Sequence, residues 1–164
     1  MIAIVLLLEE QLEKAGQMIE KILHTQADKI LIVTGKNAEI ADVRRKENVE
    51  IIFNNEWKQG SSTYIVSGIN KVISEDPGTD AAILITGNEG FVTPALINEL
   101  IKAYKKMGKP IIATAYPDNT RSFPFLFHQS MFPELLQLTG NQVPDDIVSI
   151  HEGNTITVPA KTDE

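Results

Sequence analysis

Short runs of apolar residues alternating with stretches of helical periodicity constrain this chain more than any other feature. "IAIVLLL" (residues 2–8), "KILIVTG" (29–35), "VEIIFN" (49–54), "AILI" (82–85) and "PIIATAY" (110–116) are too short for helices and almost wholly apolar. That is the pattern of strands buried on both faces. Between them, Leu12, Ala15, Ile19, Ile22 and Leu23 share one helical face, as do Ile65, Ile69, Val72 and Ile73. "NAEIADVRRK" (37–46) reads as a short polar helix or turn. Thr93-Pro94 supplies an N-cap and a first helical residue, and Gly108 ends that helix before Pro110. Five strand–helix passages predict one three-layer α/β/α domain over residues 1–164, with a mainly parallel sheet.

The last third departs from the alternation. "FPFLFH" is followed by a short helix, "QSMFPELLQL", and the alternating "DIVSIHEGNTITVP" predicts a small hairpin turning at Glu152-Gly153-Asn154, near a sheet edge.

A chain of 164 residues has enough length for a sizeable core. Its net charge of −7 argues against nucleic acid as a partner, since a nucleic-acid-binding domain needs a basic face. Absence of cysteine removes thiol nucleophiles, disulfides and zinc-thiolate sites and fits a reducing compartment, so a cytoplasmic location is expected. "MIAIVLLL" is too short to span a bilayer and lacks the basic start and small-residue cleavage site of a signal peptide. No membrane partner is expected.

Sequence chemistry alone does not reach a reaction. GxGxxG, GxxxxGK[ST] and GxSxG are all missing, and His24, His128 and His151 lack metal-ligand spacing. They read as surface or internally satisfied histidines. The loop Gly87-Asn88-Glu89-Gly90 draws attention because ligands of parallel α/β sheets sit beyond the carboxyl ends of strands, and here the loop offers a neutral amide at Asn88.

Three segments carry a resemblance. "FNNEWKQGSSTYIVSGI" resembles the N-x-x-W-x-x-G-x-x-S-S-L-x-x-G-L signature of the MobA-like NTP transferases, especially the molybdenum cofactor cytidylyl- and guanylyltransferases, with Asn54, Trp57, Gly60, Thr63 and Gly68 in register. "ILITGNEGFVTPALINEL" is similar to that family's L-x-D-Q-P-x-V-T-P-x-L-I-x-x-L, and "RSFPFLFHQSMFPELLQLTGNQ" to its R-G-H-P-V-L-F…F-P-E-L-x-x-L-x-G-D-x-G-A-R region. The resemblance implies a nucleotidyltransferase fold of the nucleotide-diphospho-sugar transferase type. It also implies a divalent metal and transfer of a nucleotide to a phosphorylated acceptor.

The departures bear on chemistry. After its first strand the family carries L-A-A-G-x-S-x-R-M-G-x-x-K, whose backbone N–H groups and cations surround a triphosphate. Here "IVLLLEEQLEK" runs straight on, and Glu9 and Glu10 stand where phosphates would lie. They suit a helix start and would repel a triphosphate. The family's two metal-holding aspartates correspond to Asn88 and Asn141, and the D-x-D-T-P near the carboxyl end is replaced by "TITVPAKTDE". Two neutral amides suit a hard cation poorly. Glu89, beside Asn88, either supplies a displaced carboxylate or, as a neighbouring loop residue, points elsewhere.

The expectation is therefore a family member without nucleotidyl transfer, acting as a binding or regulatory module, with no catalytic residue, resident metal or cofactor. The alternative is a divergent active nucleotidyltransferase completed by a partner and using magnesium. Pocket candidates are Asn54, Trp57, Gly60, Ser62, Thr63, Asn88, Glu89, Arg121 and Asn141. Trp57 either stacks on a ligand or closes the core; Gly60 to Thr63 either present donors to an anion or cap a helix. Arg121, read as a loop residue, either binds phosphate or carboxylate or is solvated. Tyr104-Lys105-Lys106 and Arg44-Arg45-Lys46 read as solvated helix faces. Candidate partners are a small anion or nucleotide-like ligand, a protein, or a second copy of the chain.

Overall fold

The computed structural model describes residues 1–8, 15–35, 48–86 and 92–160. The elements are, in order, β1 (Ile2–Leu8), α1 (Ala15–Ile22), β2 (Lys29–Thr34), β3 (Val49–Phe53), α2 (Ser62–Glu75), β4 (Ala81–Thr86) and α3 (Pro94–Met107). There follow β5 (Ile111–Ala115), β6 (Arg121–His128), α4 (Phe132–Leu135), α5 (Pro144–Ile150) and β7 (Thr155–Pro159). The segment 37–46, Glu9, Glu10 and the loop 87–90 lie outside the described residues.

Seven strands form one sheet in the order β3-β2-β1-β4-β6-β5-β7. All neighbours are parallel except β6, which runs antiparallel to β4 and β5. The mainly parallel sheet is as expected. Its one reversed strand follows from a tight turn after β5. The Tyr116 N–H donates to the Thr120 carbonyl at 2.8 Å, Asp118 accepts from the Thr120 N–H and hydroxyl, and Asn119 adopts φ 69°. Asn tolerates that left-handed conformation better than most residues.

Alternation along β1 builds the layers. Ile2, Ile4, Leu6 and Leu8 pack on one face with Ile19 and Ile22 of α1 and Ile97, Leu100 and Ile101 of α3. Ala3, Val5 and Leu7 pack on the other with Ile65, Ile69 and Val72 of α2, Leu135 of α4 and Val148 of α5. Successive residues of a strand point to opposite faces, so a strand covered on both sides has no polar position. The three-layer α/β/α architecture is thus present. α3 begins as its sequence requires: the Thr93 hydroxyl accepts from the Leu96 N–H at 3.1 Å, and Gly108 closes the helix at φ 67°. Among the described residues no helix is long and apolar enough to cross a membrane.

The expected carboxyl-terminal hairpin is not there. Residues 144–150 form α5, a 3-10 turn covers Glu152–Asn154, and β7 runs parallel to β5. Pro144 at the first helical position and the Asp146 carboxylate, which accepts from the Val143 N–H at 2.9 Å, set the helix start. These local signals outweigh the apparent alternation of Ile147, Ser149 and His151, and Ile150 is left 75% exposed.

A charge network lies at the amino end of the sheet. The Lys29 ammonium sits 2.6 Å from Asp76 and 3.5 Å from Glu50, and Lys71 bridges Glu50 at 3.3 Å and Glu75 one helical turn away. The hydrogen bond from Lys71 holds the Glu75 carboxyl below its ordinary value of 4.5. A depressed acid stabilises the fold above its unfolded pKa, and that contribution is lost as pH falls through the folded value. The melting temperature should hold from neutrality to about pH 5 and then drop, with a shallower acid limb in Glu75→Gln. Superimposable acid limbs for the two proteins would remove Glu75 from this account.

Candidate functional site

The carboxyl ends of β2, β3 and β4 and the start of the reversed β6 share one edge of the sheet. Most sequence-predicted site residues fall there or beside it. Asn54 follows β3 and is 1% exposed. Its amide nitrogen donates to the Thr63 hydroxyl at 2.8 Å, while its oxygen accepts from the Glu56 N–H and the Ser67 hydroxyl, each at 3.1 Å. A buried amide serving three partners on two segments joins the loop after β3 to α2.

Gly60 is required by geometry. It adopts φ 129°, and a Cβ there would lie 2.2 Å from the Gly140 carbonyl oxygen. That same oxygen accepts from the Ser62 N–H at 3.1 Å and the Ser62 hydroxyl at 2.8 Å. The Thr63 hydroxyl, besides accepting from Asn54, donates to the Gly60 carbonyl at 2.7 Å. The N–H groups of Thr63 and Tyr64 donate to the carbonyls of Gly60 and Ser61, each at 3.2 Å. Asn141 completes the set: its side-chain oxygen accepts from the Ser61 N–H at 3.1 Å. The donors at the start of α2, which helices often turn toward anions, are therefore engaged within the chain.

Trp57 lies in a 3-10 turn, half-buried against the cluster that includes Tyr64. Gly35, at the end of β2, admits this packing, because a Cβ there would meet Trp57 Cβ at 2.7 Å and the Tyr64 hydroxyl at 2.0 Å. The Lys58 ammonium stands 5.5 Å from the Trp57 ring centroid, within cation–π range. Gly68 serves the same end inside α2, where an added Cβ would lie 2.5 Å from Val5 of β1.

Arg121 corrects the sequence reading. It is the first residue of β6, not a loop residue, and its guanidinium is neither open to an anion nor simply solvated. Nε donates to Asp145 at 2.8 Å, one terminal nitrogen to Glu152 at 3.1 Å and the other to the Ser149 hydroxyl at 3.2 Å. Burial alone would lower its pKa, but the Glu152 hydrogen bond and the Asp145 charge outweigh that and raise it. The planar fork fastens β6 to α5 and the turn before β7, a task suited to arginine. The histidines find partners of their own, His128 with the Ser130 hydroxyl and N–H and His151 with Glu134, while His24 is exposed.

Asn88 and Glu89 lie outside the described residues. Of the two positions that the resemblance matches to metal-holding aspartates, Asn141 is therefore the one whose surroundings are described, and its oxygen accepts from the Ser61 N–H. Among the described residues no group of three or more His, Cys, Asp or Glu is placed to hold a metal ion. A neutral amide whose oxygen already accepts from the Ser61 N–H does not fit the divalent ion that the family resemblance implies.

Likeness to known proteins agrees with this architecture. The chain is similar to the manganese complex of Rv0371c from Mycobacterium tuberculosis H37Rv, with TM-score 0.71, 17% identity, and coverage of 98% of this chain and 89% of that one. It is similar to 4-diphosphocytidyl-2C-methyl-D-erythritol synthase from Anaerococcus prevotii DSM 20548, with TM-score 0.73, 14% identity and coverage of 98% and 87%. A third likeness is to CMP:2-keto-3-deoxy-manno-octonic acid synthetase complexed with CTP, with TM-score 0.70, 11% identity and coverage of 97% and 90%. At such identities these likenesses speak for the fold alone. No curated protein matches the chain in sequence. A family model described as a MobA-like NTP transferase domain matches residues 10–155, from just after β1 to the first residue of β7, and the chain belongs to that family.

Proposed function

We propose that this chain is a relative of the molybdenum cofactor cytidylyl- and guanylyltransferases that does not transfer nucleotides and acts as a binding or regulatory module. One observation carries the reading: where the resemblance implies a metal-holding aspartate, Asn141 offers an amide whose oxygen is spent on the Ser61 N–H. Supporting it, the residues retained from the family signature, Asn54, Gly60, Thr63 and Gly68, all have packing or hydrogen-bonding duties inside the chain. What is missing is the phosphate-holding stretch, replaced by Glu9 and Glu10. With Arg121 and the donors at the start of α2 engaged inside the chain, the module is read as one cytoplasmic domain whose partner is a nucleotide-like ligand held without metal, a protein or a second copy.

The family match over residues 10–155 favours a second reading, a divergent nucleotidyltransferase completed by a partner. Thermal stabilisation separates the two. CTP or GTP with magnesium should give no saturable rise in melting temperature at concentrations from micromolar to millimolar, the usual substrate range. Asn88→Asp with Asn141→Asp should bind magnesium more tightly, since each anionic oxygen favours a hard cation, yet release no pyrophosphate from CTP or GTP with molybdopterin. Pyrophosphate release by the double variant, absent from the parent, would show that only the metal site had decayed. Release by the parent would establish the second reading.

A further inference from the structure

Four of the chain's fifteen basic residues, Lys102, Lys105, Lys106 and Lys109, fall within eight positions at the end of α3 and just beyond it. Among the described residues none of the four has an ion-pair partner, although the chain carries 22 acidic residues and a net charge of −7. Lysines in a last helical turn favour the helix dipole, which accounts for Lys105 and Lys106. It does not account for the rest. Lys102 and Lys106 are like charges four residues apart, and Lys102 and Lys105 three apart, spacings at which repulsion destabilises a helix. Glu99, three residues before Lys102, offsets part of this charge, and Lys105, Lys106 and Lys109 keep an excess of positive charge there.

The lysines also border concave ground. One groove of about 560 Å³ is lined by Gln26, Asn98, Lys102, Lys105 and Lys106 together with one acid, Glu99, and the lining of a second of about 560 Å³ includes Tyr104, Lys105, Lys109, Pro110 and His128. Lys105 belongs to both, so they adjoin. Met107, 50% exposed, adds apolar surface close by. The second groove lies at the start of β5 and the end of β6, the opposite edge of the sheet from Asn54 and Asn141. Occupation of this surface is therefore independent of the site at Asn54 and Asn141 and of the reading given to it.

We propose that the two grooves flanking Lys105 are a docking surface for an acidic, extended polypeptide segment of a partner protein. Charge complementarity sets the sign of the ligand, and two grooves in series across one lysine suit a narrow chain that places carboxylates on either side. A flat anionic membrane would meet the lysines on the rim and leave the grooves empty. A single-stranded nucleic acid would gain most from open rings on which its bases stack, and Tyr104, the one aromatic ring lining the grooves besides His128, is half-buried with its ring centroid 6.1 Å from that of His128.

The test uses the whole chain and a labelled oligoglutamate peptide, followed by fluorescence anisotropy. Saturable binding is expected, weakening as salt screens the charges. Lys102→Gln with Lys105→Gln and Lys109→Gln should weaken it at least about tenfold. Lys58→Gln, the same type of charge change at the far edge of the sheet, should leave it unaltered. All substituted positions are surface lysines, and circular dichroism checks that the fold is kept. Absence of saturable peptide binding would overturn the proposal, as would an equal loss in Lys58→Gln, which would reduce the effect to overall charge. Tighter binding of phosphatidylserine vesicles or single-stranded RNA than of the peptide, abolished by the triple change, would reassign the surface and overturn the polypeptide partner.

Discussion

Gly60→Ala should lower the melting temperature by about 10 °C, because the new methyl has no place to go. Its Cβ would stand 2.2 Å from the Gly140 oxygen, a backbone atom that cannot rotate away, at a residue whose φ of 129° side chains rarely adopt. Relief requires the 139–142 turn to move off α2, which breaks both bonds from Ser62 to Gly140 and strains the one from Ser61 to Asn141. Overpacking, backbone strain and lost hydrogen bonds together cost roughly 3–5 kcal/mol. Gly78→Ala is the control, since a Cβ there meets nothing within 4 Å and φ is ordinary. It should change stability by less than about 0.5 kcal/mol. Equal denaturation midpoints for the two variants would mean that the contact between residues 60 and 140 is not a constraint.

Asn54→Leu should be nearly as damaging, by about 3 kcal/mol in chemical denaturation, though it keeps the number and branching of the side-chain heavy atoms. Leucine leaves the Glu56 N–H and the Ser67 hydroxyl without their acceptor and the Thr63 hydroxyl without its donor, in a place with almost no access to water. Asn54→Asp offers a sharper measurement. It keeps the two acceptor roles but replaces the amide donor with a second oxygen facing Thr63, and it buries a charge. Burial raises the folded-state pKa of such an acid, so the variant is least destabilised below the unfolded value of about 3.9 and loses stability relative to the parent as pH rises through the folded value. A pH-independent difference between Asn54→Asp and the parent would contradict the hub assigned to this amide.

Strand and helix alternation made the sheet and its two covering layers legible, because burial on both faces forces nearly unbroken apolar runs and burial on one face forces helical spacing. Orientation was harder to read. That β6 runs against its neighbours depends on the turn at Pro117-Asp118-Asn119-Thr120, whose residues carry strong turn signals within a segment that otherwise resembles a strand entering a loop. The hairpin expected after residue 145 failed for a related reason. Alternation over so few residues is weaker than a proline at the first helical position with an aspartate two residues on. At the site, the motif around Asn54 and Gly60 was visible as a motif, but its duties were not. They are set by Gly140 and Asn141, about 80 residues away in sequence. Arg121 was misplaced because Asp145, Ser149 and Glu152 reach it only once α5 has formed.

The hydrogen bond between Asn141 and the Ser61 N–H sets how a chain of this kind can change over time. An N–H at a helix start requires an oxygen and does not distinguish a carboxylate from an amide; aspartate and asparagine serve that role about equally well. Exchange of an acid for an amide at position 141 therefore removes a negative charge from the sheet edge while leaving the capping contact in place. The architectural duty of the position, accepting from the Ser61 N–H, is indifferent to the metal-holding duty that the family resemblance implies there. A lineage can cross from metal-using to metal-free at such a position in one substitution without passing through an unfolded intermediate. Gly60 offers no comparable freedom, so sequences drifting away from transferase chemistry should keep their glycines longer than their acids.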